Sequence, residues 1–524
     1  VDDFSILLYD MKINSVVIVG GGSSGWFTAS ALNKHCPELD VTLIESPNVP
    51  TIGVGESTIL SINRFFAGLE MKDEDWMPHC DATYKGSIKF TDFYQKGEAF
   101  HYPFGYMDFT AQQYGTGDWF FKKWLFPDIP QTDFCECYWP TMPLVNKNKI
   151  NFNEDGLIPN FSLDRDWAYQ FDALKLAHWM RDNLCATTTH ILDDVTEINL
   201  DERGWISSLS TQKSGELNAD LYVDCTGFKS LLIEKVGVSY TSYSDVLINN
   251  ASWATKIPYK DPNVEMELTT NGTAIDNGWV WNIPLWSRIG SGYVYSDKFV
   301  DKEDALKEFQ KHIGHDDELD YHHIDIRNGV HDKAWHKNCI ALGLSYGFIE
   351  PLESTGLVFL HEGIDRLIIA LQTRDGHINQ FDRDCVNREN RHQLDYTKYF
   401  VGFHFYGSVR DDTDYWKYYT QEMDDLWNNE MQDFSRARLE TFDSRPFTDG
   451  TLCVAVGHHM NIYTDYIRKK LADYGTGWSN DKHLFNAELN EIFKYWRDRT
   501  ERINKLADHS PTHYEYLKEN MYDV

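Results

Sequence analysis

The sequence predicts a mixed α/β fold: a discontinuous parallel-sheet module joined to a large, mostly helical part. Three observations carry this. Two short β-branched runs, SVVIV at Ser15–Val19 and VTLI at 41–44, have the composition of strands buried on both faces. A glycine-rich turn and a helical stretch at 26–32 separate them, which makes a β-α-β unit. A third strand of this kind, at 338–344, lies far along the chain, so the module is assembled from distant segments.

The remaining elements follow in order. The loop at 53–58 leads into an apolar helical stretch. Residues 91–159 are rich in Pro, Gly and aromatics with weak periodicity, and read as irregular structure over a site. A helix is predicted at 166–184, a hairpin at 191–198 and 205–209, and a strand at 219–223. Further strands are predicted within 246–257 and 278–295, and an amphipathic helix at 301–313. A long helix is predicted at 354–372, and mostly helix beyond 388. We therefore expect 11–90 and 160–387 to form one module, with 91–159 and 388–524 forming the substrate-binding part. Residues 1–10 read as a tail upstream of a start at Met11.

Composition excludes several functions. Asp and Glu number 81 against 49 Lys and Arg, a formal charge of −32. That balance opposes non-specific binding to nucleic acid or to an anionic membrane, since both attractions need basic patches. No uninterrupted apolar run approaches the roughly 18 residues of a membrane helix. Nine cysteines without a CxxC read as free thiols in a reducing cytoplasm. His322–His323 and His458–His459 lack zinc-type spacing, so no metal is expected. The abundant Trp, Tyr and Phe fill a core and also suit a flat aromatic ligand.

Gly20-x-Gly22-x-x-Gly25 sits between strand and helix, the context in which this pattern binds a dinucleotide. Gly20 permits the tight turn, Gly22 lets backbone approach a pyrophosphate, and Gly25 permits close helix packing. Ser23, Ser24 and Trp26 open the helix, whose N-terminus favours anions. Glu45 ends the second strand, where a carboxylate accepts from a ribose diol. These residues leave FAD or NAD open, and a glycine turn without ligand is the alternative. Only one fingerprint is present. If the ligand is FAD, reducing equivalents arrive from a separate protein.

Seven segments then resemble the flavin-dependent halogenases of the tryptophan-halogenase type. They are GGGSSGW (20–26), IGVGEST (52–58), Tyr84-Lys85, DCTGF (224–228), GWVWNIP (278–284), FIEPLESTG (348–356) and RDDTDYW (410–416). They occur in family order, and GWxWxIP and EPLESTG are specific.

The resemblance implies an FAD-binding three-layer Rossmann-type module like that of aromatic hydroxylases. It implies FAD as FADH2, O2 as co-substrate, a halide ion, a flavin reductase as partner and an aromatic small-molecule substrate. A cytoplasmic homo-oligomer is expected by the same analogy. The implied chemistry is formation of hypohalous acid at a flavin C4a-hydroperoxide, passage through a tunnel to a lysine, and electrophilic halogenation of an indole- or phenol-type ring. Lys85 matches that lysine, either hydrogen-bonding the oxidant or forming a haloamine. Glu353 matches the acid beside it, with Ser354 orienting it. Thr355 and Gly356 match the halide site. Gly55, Glu56, Ser57, Thr226, Gly227, Gly343, Trp279 and Trp281 match the flavin side, the tryptophans also holding organic substrate away.

The family's His-x-Phe element falls on Tyr102 and Phe104, with His101 one place early, and its C-terminal stacking Trp falls on Thr451. Trp119 and Trp124 are further pocket candidates. A missing ring matters, since stacking is worth about 1–3 kcal/mol per ring, so free tryptophan as the natural substrate is in doubt. A flavin monooxygenase hydroxylating an aromatic is the alternative, and it would not need Lys85 or the EPLESTG anion site. A non-catalytic flavin-binding protein is a third.

Overall fold

The computed structural model describes residues 11–49, 55–111, 116–151, 158, 161–314, 319–423, 448–459 and 482–523. Residues 1–10, and Gly53 and Val54 of the second glycine-rich loop, lie outside them. The chain divides into two units. The first comprises Val1–Ala82, Gln170–Ser252 and His322–Val401; the second comprises Thr83–Tyr169, Trp253–Tyr321 and Gly402–Val524.

The first unit is built on a six-stranded sheet in the order Trp335–His336, Cys339–Ala341, Leu221–Asp224, Ser15–Val19, Asp40–Glu45, Thr189–Leu192. All neighbours pair in parallel except the edge hairpin Trp335–His336 with Cys339–Ala341. Burial on both faces explains the apolar runs, with Ile18, Leu43, Val223 and Ile340 at 0 % exposure. The helix Ser23–His35 packs against the helices Ala173–Leu184 and Gly356–Thr373 of the same unit. The expected helix at 166–184 is shorter, because Ala168–Phe171 is a strand. The helix begins after Asp172, whose carboxylate accepts from Leu174 and Lys175 N–H groups as its N-cap.

In the second unit the strands Ile289–Tyr295, Gly278–Pro284, Thr269–Ala274, Ser87–Thr91 and Ala99–Pro103 lie side by side in that order. Ser87–Thr91 pairs in parallel with Thr269–Ala274; the other pairs are antiparallel. This pairing draws 253–321 and 83–90 into the second unit, whereas the sequence reading assigned both to the first. The segment 91–159 is also more regular than expected. It contains the strand Ala99–Pro103 and the helices Gly117–Leu125, Asp133–Tyr138 and Met142–Asn146.

Register separates the sheet's two faces. Lys89 opposes His101 and Asn271, Asn271 opposes Asn282, and Asn282 opposes Ser291, so these polar residues share one face. One position along, Phe90 opposes Phe100 and Gly272, and Trp281 opposes Gly272 and Gly292. Trp279, Trp281, Phe90, Phe100 and Tyr102 therefore share the other face. A Cβ at Gly292 would stand 2.4 Å from the Trp281 ring, so this glycine makes room for the indole.

The RDDTDYW segment is a structural lock of the second unit. The buried Arg410 guanidinium donates to the carbonyls of Asp92, Ala274 and Ile275 and to the Asp412 carboxylate, and lies 4.3 Å from the Trp416 ring. Trp416 Nε1 donates to Ile275 O at 2.8 Å, and Thr413 caps the Asp414–Lys417 turn. Arg410→Ala should cost on the order of 3 kcal/mol by stranding buried carbonyls. Denaturant titration checks this, and an unchanged midpoint would count against the lock.

Candidate active site

In the first unit the strand Ser15–Val19 ends at Gly20, whose φ is +117°. A Cβ there would lie 2.2 Å from Cys225 O, because Cys225 directly follows the neighbouring parallel strand. A Cβ on Gly25 would lie 1.9 Å from Gly20 O, whereas one on Gly22 would meet nothing within 4 Å. Gly22 is the N-cap of Ser23–His35, with no side-chain cap and no acid in the first turn. The loop is thus tight on the protein side and open at Gly22, the shape of an anion cradle.

Two other predicted residues, Gly343 and Glu45, meet this loop. Gly343, at φ +62° after the strand Cys339–Ala341, would put a Cβ 2.2 Å from Ser24 Oγ. Glu45 leans over the loop, and a Cβ on Gly21 would meet its Oε2. Its Oε1 lies 2.8 Å from His190 Nε2, a partner the sequence reading missed. Thr226 N and Oγ1 donate to Asp224 Oδ1, while Asp224 Oδ2 accepts from Leu232 and Ile233 N–H groups. Asp224 of DCTGF is therefore a helix cap, and Gly227 faces open space. Trp26 is fully buried, edge-on to His190, and belongs to the core.

Gly55, at φ +112°, leads into the strand Glu56–Ser57, where Glu56 opposes Phe171. Burial and, secondarily, the nearby Asp172 charge raise the Glu56 carboxyl to about 7. Its folded pKa lies above the unfolded one, so the folded state holds the extra proton between pH 4.5 and 7. Glu56 therefore subtracts stability as pH rises through that window. Glu56→Gln should flatten this fall and gain roughly 1–3 kcal/mol at pH 8, read by denaturation at pH 5 and 8. An equal fall in both proteins would refute it.

The EPLESTG turn divides its labour. Glu350 is fully buried; its Oε2 accepts from Asn249 Nδ2 at 2.8 Å, and its N–H donates to Asn328 Oδ1 at 2.7 Å. It is a structural anchor, and neither asparagine was singled out from sequence. Glu353 ends the short turn Pro351–Glu353 at 1 % exposure. Ser354 adopts a left-handed conformation at φ 56°, which turns the chain into the long helix. Its hydroxyl donates to Ser57 Oγ at 3.3 Å, tying the turn to Glu56–Ser57. Thr355 is the N-cap of Gly356–Thr373, yet its side chain makes no capping bond. Its Oγ1 is buried without a hydrogen-bond partner, and Gly356 opens onto free space. A helix N-terminus without a first-turn acid, a waiting hydroxyl and room for an ion can hold a halide.

Lys85 belongs to the second unit. It ends the strand Thr83–Lys85 at 0 % exposure, with Nζ 5.2 Å from the Phe104 ring centroid. Tyr102 and Phe104 meet edge to face at 5.4 Å. His101 points to the opposite, polar face, where Nδ1 meets Ser87 Oγ at 3.0 Å, so Tyr102 is the residue of this pair on the aromatic face. The helix Thr448–Gly457, which carries the buried Thr451, packs on Ala99–Pro103; a Cβ on Gly457 would strike the Phe100 ring. Trp119 spends its ring on Phe120 and Phe134 and its N–H on Asp133, a core role, and Trp124 is 56 % exposed.

The parallel sheet and its glycine cradle define a dinucleotide-binding enzyme module, and comparison with known proteins narrows this. The profile of the tryptophan halogenase family matches residues 15–486. Tryptophan 6-halogenase SttH of Streptomyces toxytricini is 32% identical over 96% of this chain and 98% of its own. Among solved structures, that titled VirX1 apo structure is 38% identical with a TM-score of 0.89, over 98% of this chain and 100% of the other. Tar14, a tryptophan C-6 flavin-dependent halogenase (chlorinase) from taromycin biosynthesis, is 31% identical with a TM-score of 0.81, over 96% and 99%. The chain belongs to the tryptophan halogenase family, the flavin-dependent halogenases. The first unit is accordingly an FAD-binding Rossmann-type module, and the open face at Gly22, beside Ser24, Glu45 and Gly343, fits that cofactor.

Proposed function

We propose that this enzyme halogenates an electron-rich aromatic of indole or phenol type at Lys85. The observation that carries the reading is a fully buried lysine side chain whose Nζ is set against an aromatic ring, a costly place for an ionisable group. Bound as FADH2, the flavin would reduce O2 to the peroxide level, and that peroxide would oxidise halide to hypohalous acid. Thr355 Oγ1 and the amides at Gly356 hold the halide. Lys85 then receives hypohalous acid, either by hydrogen-bonding it and drawing electron density from the halogen or by forming a haloamine. Glu353 accepts the proton that the ring loses on substitution. Trp279 and Trp281 keep organic substrate from the flavin by bulk. With one nucleotide fingerprint in the chain, a separate flavin reductase supplies FADH2.

SttH and Tar14 are described as tryptophan halogenases. Here Tyr102, Phe104 and Thr451 line the substrate side, and a threonine in place of a stacking ring leaves room for indoles and phenols other than tryptophan. The test incubates the enzyme with FAD, NADH, a flavin reductase, O2 and each halide in turn. Tryptophan and a panel of indoles and phenols serve as substrates, with products read by mass spectrometry. A halogenated product that requires halide supports the reading; a hydroxylated product formed without halide overturns it.

A further inference from the structure

In the second unit the short strand Thr83–Lys85 is held by an unusual set of bonds. Thr83 Oγ1 donates to Pro284 O at 2.6 Å. Gly86 N donates to Leu268 O at 2.7 Å, and Gly86 O accepts from Phe104 N at 2.8 Å. The amide of Tyr84, immediately before the lysine, donates not to a strand but to a side chain: its partner is His513 Nε2 at 3.1 Å. The other ring nitrogen, Nδ1, lies 3.2 Å from Met266 O. A carbonyl only accepts and a backbone amide only donates. The imidazole must therefore be the neutral tautomer with its proton on Nδ1 and its lone pair on Nε2. Burial lowers its pKa to about 3, so this form persists at any assay pH.

His513 is itself fixed from several directions. It is fully buried, and its own N–H donates to Asn148 O at 3.1 Å. It opens the turn His513–Leu517, where Thr512 and Glu515 form a capping box. Tyr514 and Tyr522 sandwich Trp286, at 5.1 and 3.9 Å between ring centroids. One ring thus links Met266, just before the sheet strand Thr269–Ala274, to the backbone that bears Lys85.

We propose that His513 is a positioning residue for halogenation: its imidazole fixes the Tyr84 amide and thereby the place of the Lys85 side chain. The proposal rests on the reading of Lys85 as the halogenating lysine. Losing the bond frees a buried amide to seek another partner and shifts the strand, and misplacement by about 1 Å can cost about a hundredfold in rate. Thr355, Gly356 and the glycine cradle at Gly20–Gly25 lie in the other unit, so the affinities for halide and FADH2 should not move.

The experiment compares four variants for kcat, KM for halide, FADH2 affinity and melting temperature. His513→Leu is expected to lose about a hundredfold in kcat with KM for halide and FADH2 affinity unchanged. His513→Gln, whose amide can accept at one end and donate at the other, should recover most of that loss. Glu515→Ala, which breaks the capping box but leaves the imidazole, should lower the melting temperature without lowering kcat. Lys85→Ala separates the two claims. If Lys85→Ala still halogenates, the reading of the lysine fails; if it is inactive while His513→Leu keeps wild-type kcat, the positioning role alone fails. A fall in kcat with Glu515→Ala equal to that of His513→Leu would also overturn it. Should His513→Leu be insoluble, hydrogen exchange at the Tyr84 amide in His513→Gln decides. Protection and kcat retained or lost together support the role, and either one without the other overturns it.

Discussion

Lys85→Met should leave a folded protein whose halogenated product falls by about 10²–10⁴-fold while FADH2 is still oxidised. Methionine matches the lysine stem and removes the ammonium. The side chain is fully buried with its Nζ against Phe104. Replacing a buried charged side chain by an apolar one of similar volume is often neutral or stabilising. An apolar isostere should therefore keep or raise the melting temperature. Loss of chemistry without loss of stability marks a group retained for function. Wild-type product formation by Lys85→Met would sink the assignment, whatever the melting temperature shows.

The second large effect separates two glycines of one loop. Gly20→Ala should lower the melting temperature and abolish FAD binding. An L-residue at φ +117° carries about 1–3 kcal/mol of strain, and its Cβ would press on Cys225 O, which is backbone and cannot swing away. Gly22 has φ −78°, which alanine adopts freely, and its Cβ would meet no protein atom. Gly22→Ala should melt as wild type yet bind FAD tenfold or more weakly, a loss of about 1.4 kcal/mol or more, because the methyl enters the space where a pyrophosphate comes closest. Thermal melts and flavin fluorescence titrations check both. Undiminished FAD affinity in Gly22→Ala would remove the cradle assignment.

These contrasts show what was legible in the sequence. The glycine loop was legible because its requirements are local: three spacings and a flanking strand and helix. Its neighbours were only half legible. Gly343 could be matched by resemblance, but its approach to Ser24 depends on strands from distant segments joining one parallel sheet, and no single window contains them. Within EPLESTG the motif did not announce that Glu350 is an anchor while Glu353 stands apart from it, since two acids three residues apart look alike until Asn249 and Asn328 arrive. Tyr102 against His101 was decidable only by strand register, as neighbours on a strand face opposite ways. The helix expected from 166 ignored a visible signal, the Asp172 cap. His513 was out of reach, because what defines it is a backbone amide near the other end of the chain.

The chain passes between its two units five times, in segments ending at Ala82, Tyr169, Ser252, Tyr321 and Val401. No single crossover can exchange one unit with that of another enzyme and leave the other whole. Chimaeras joined at one point would inherit broken sheets, so gene shuffling is a poor route to new variants of this scaffold. Altering it, in the laboratory or in evolution, is better served by point substitutions and loop changes than by swapping modules.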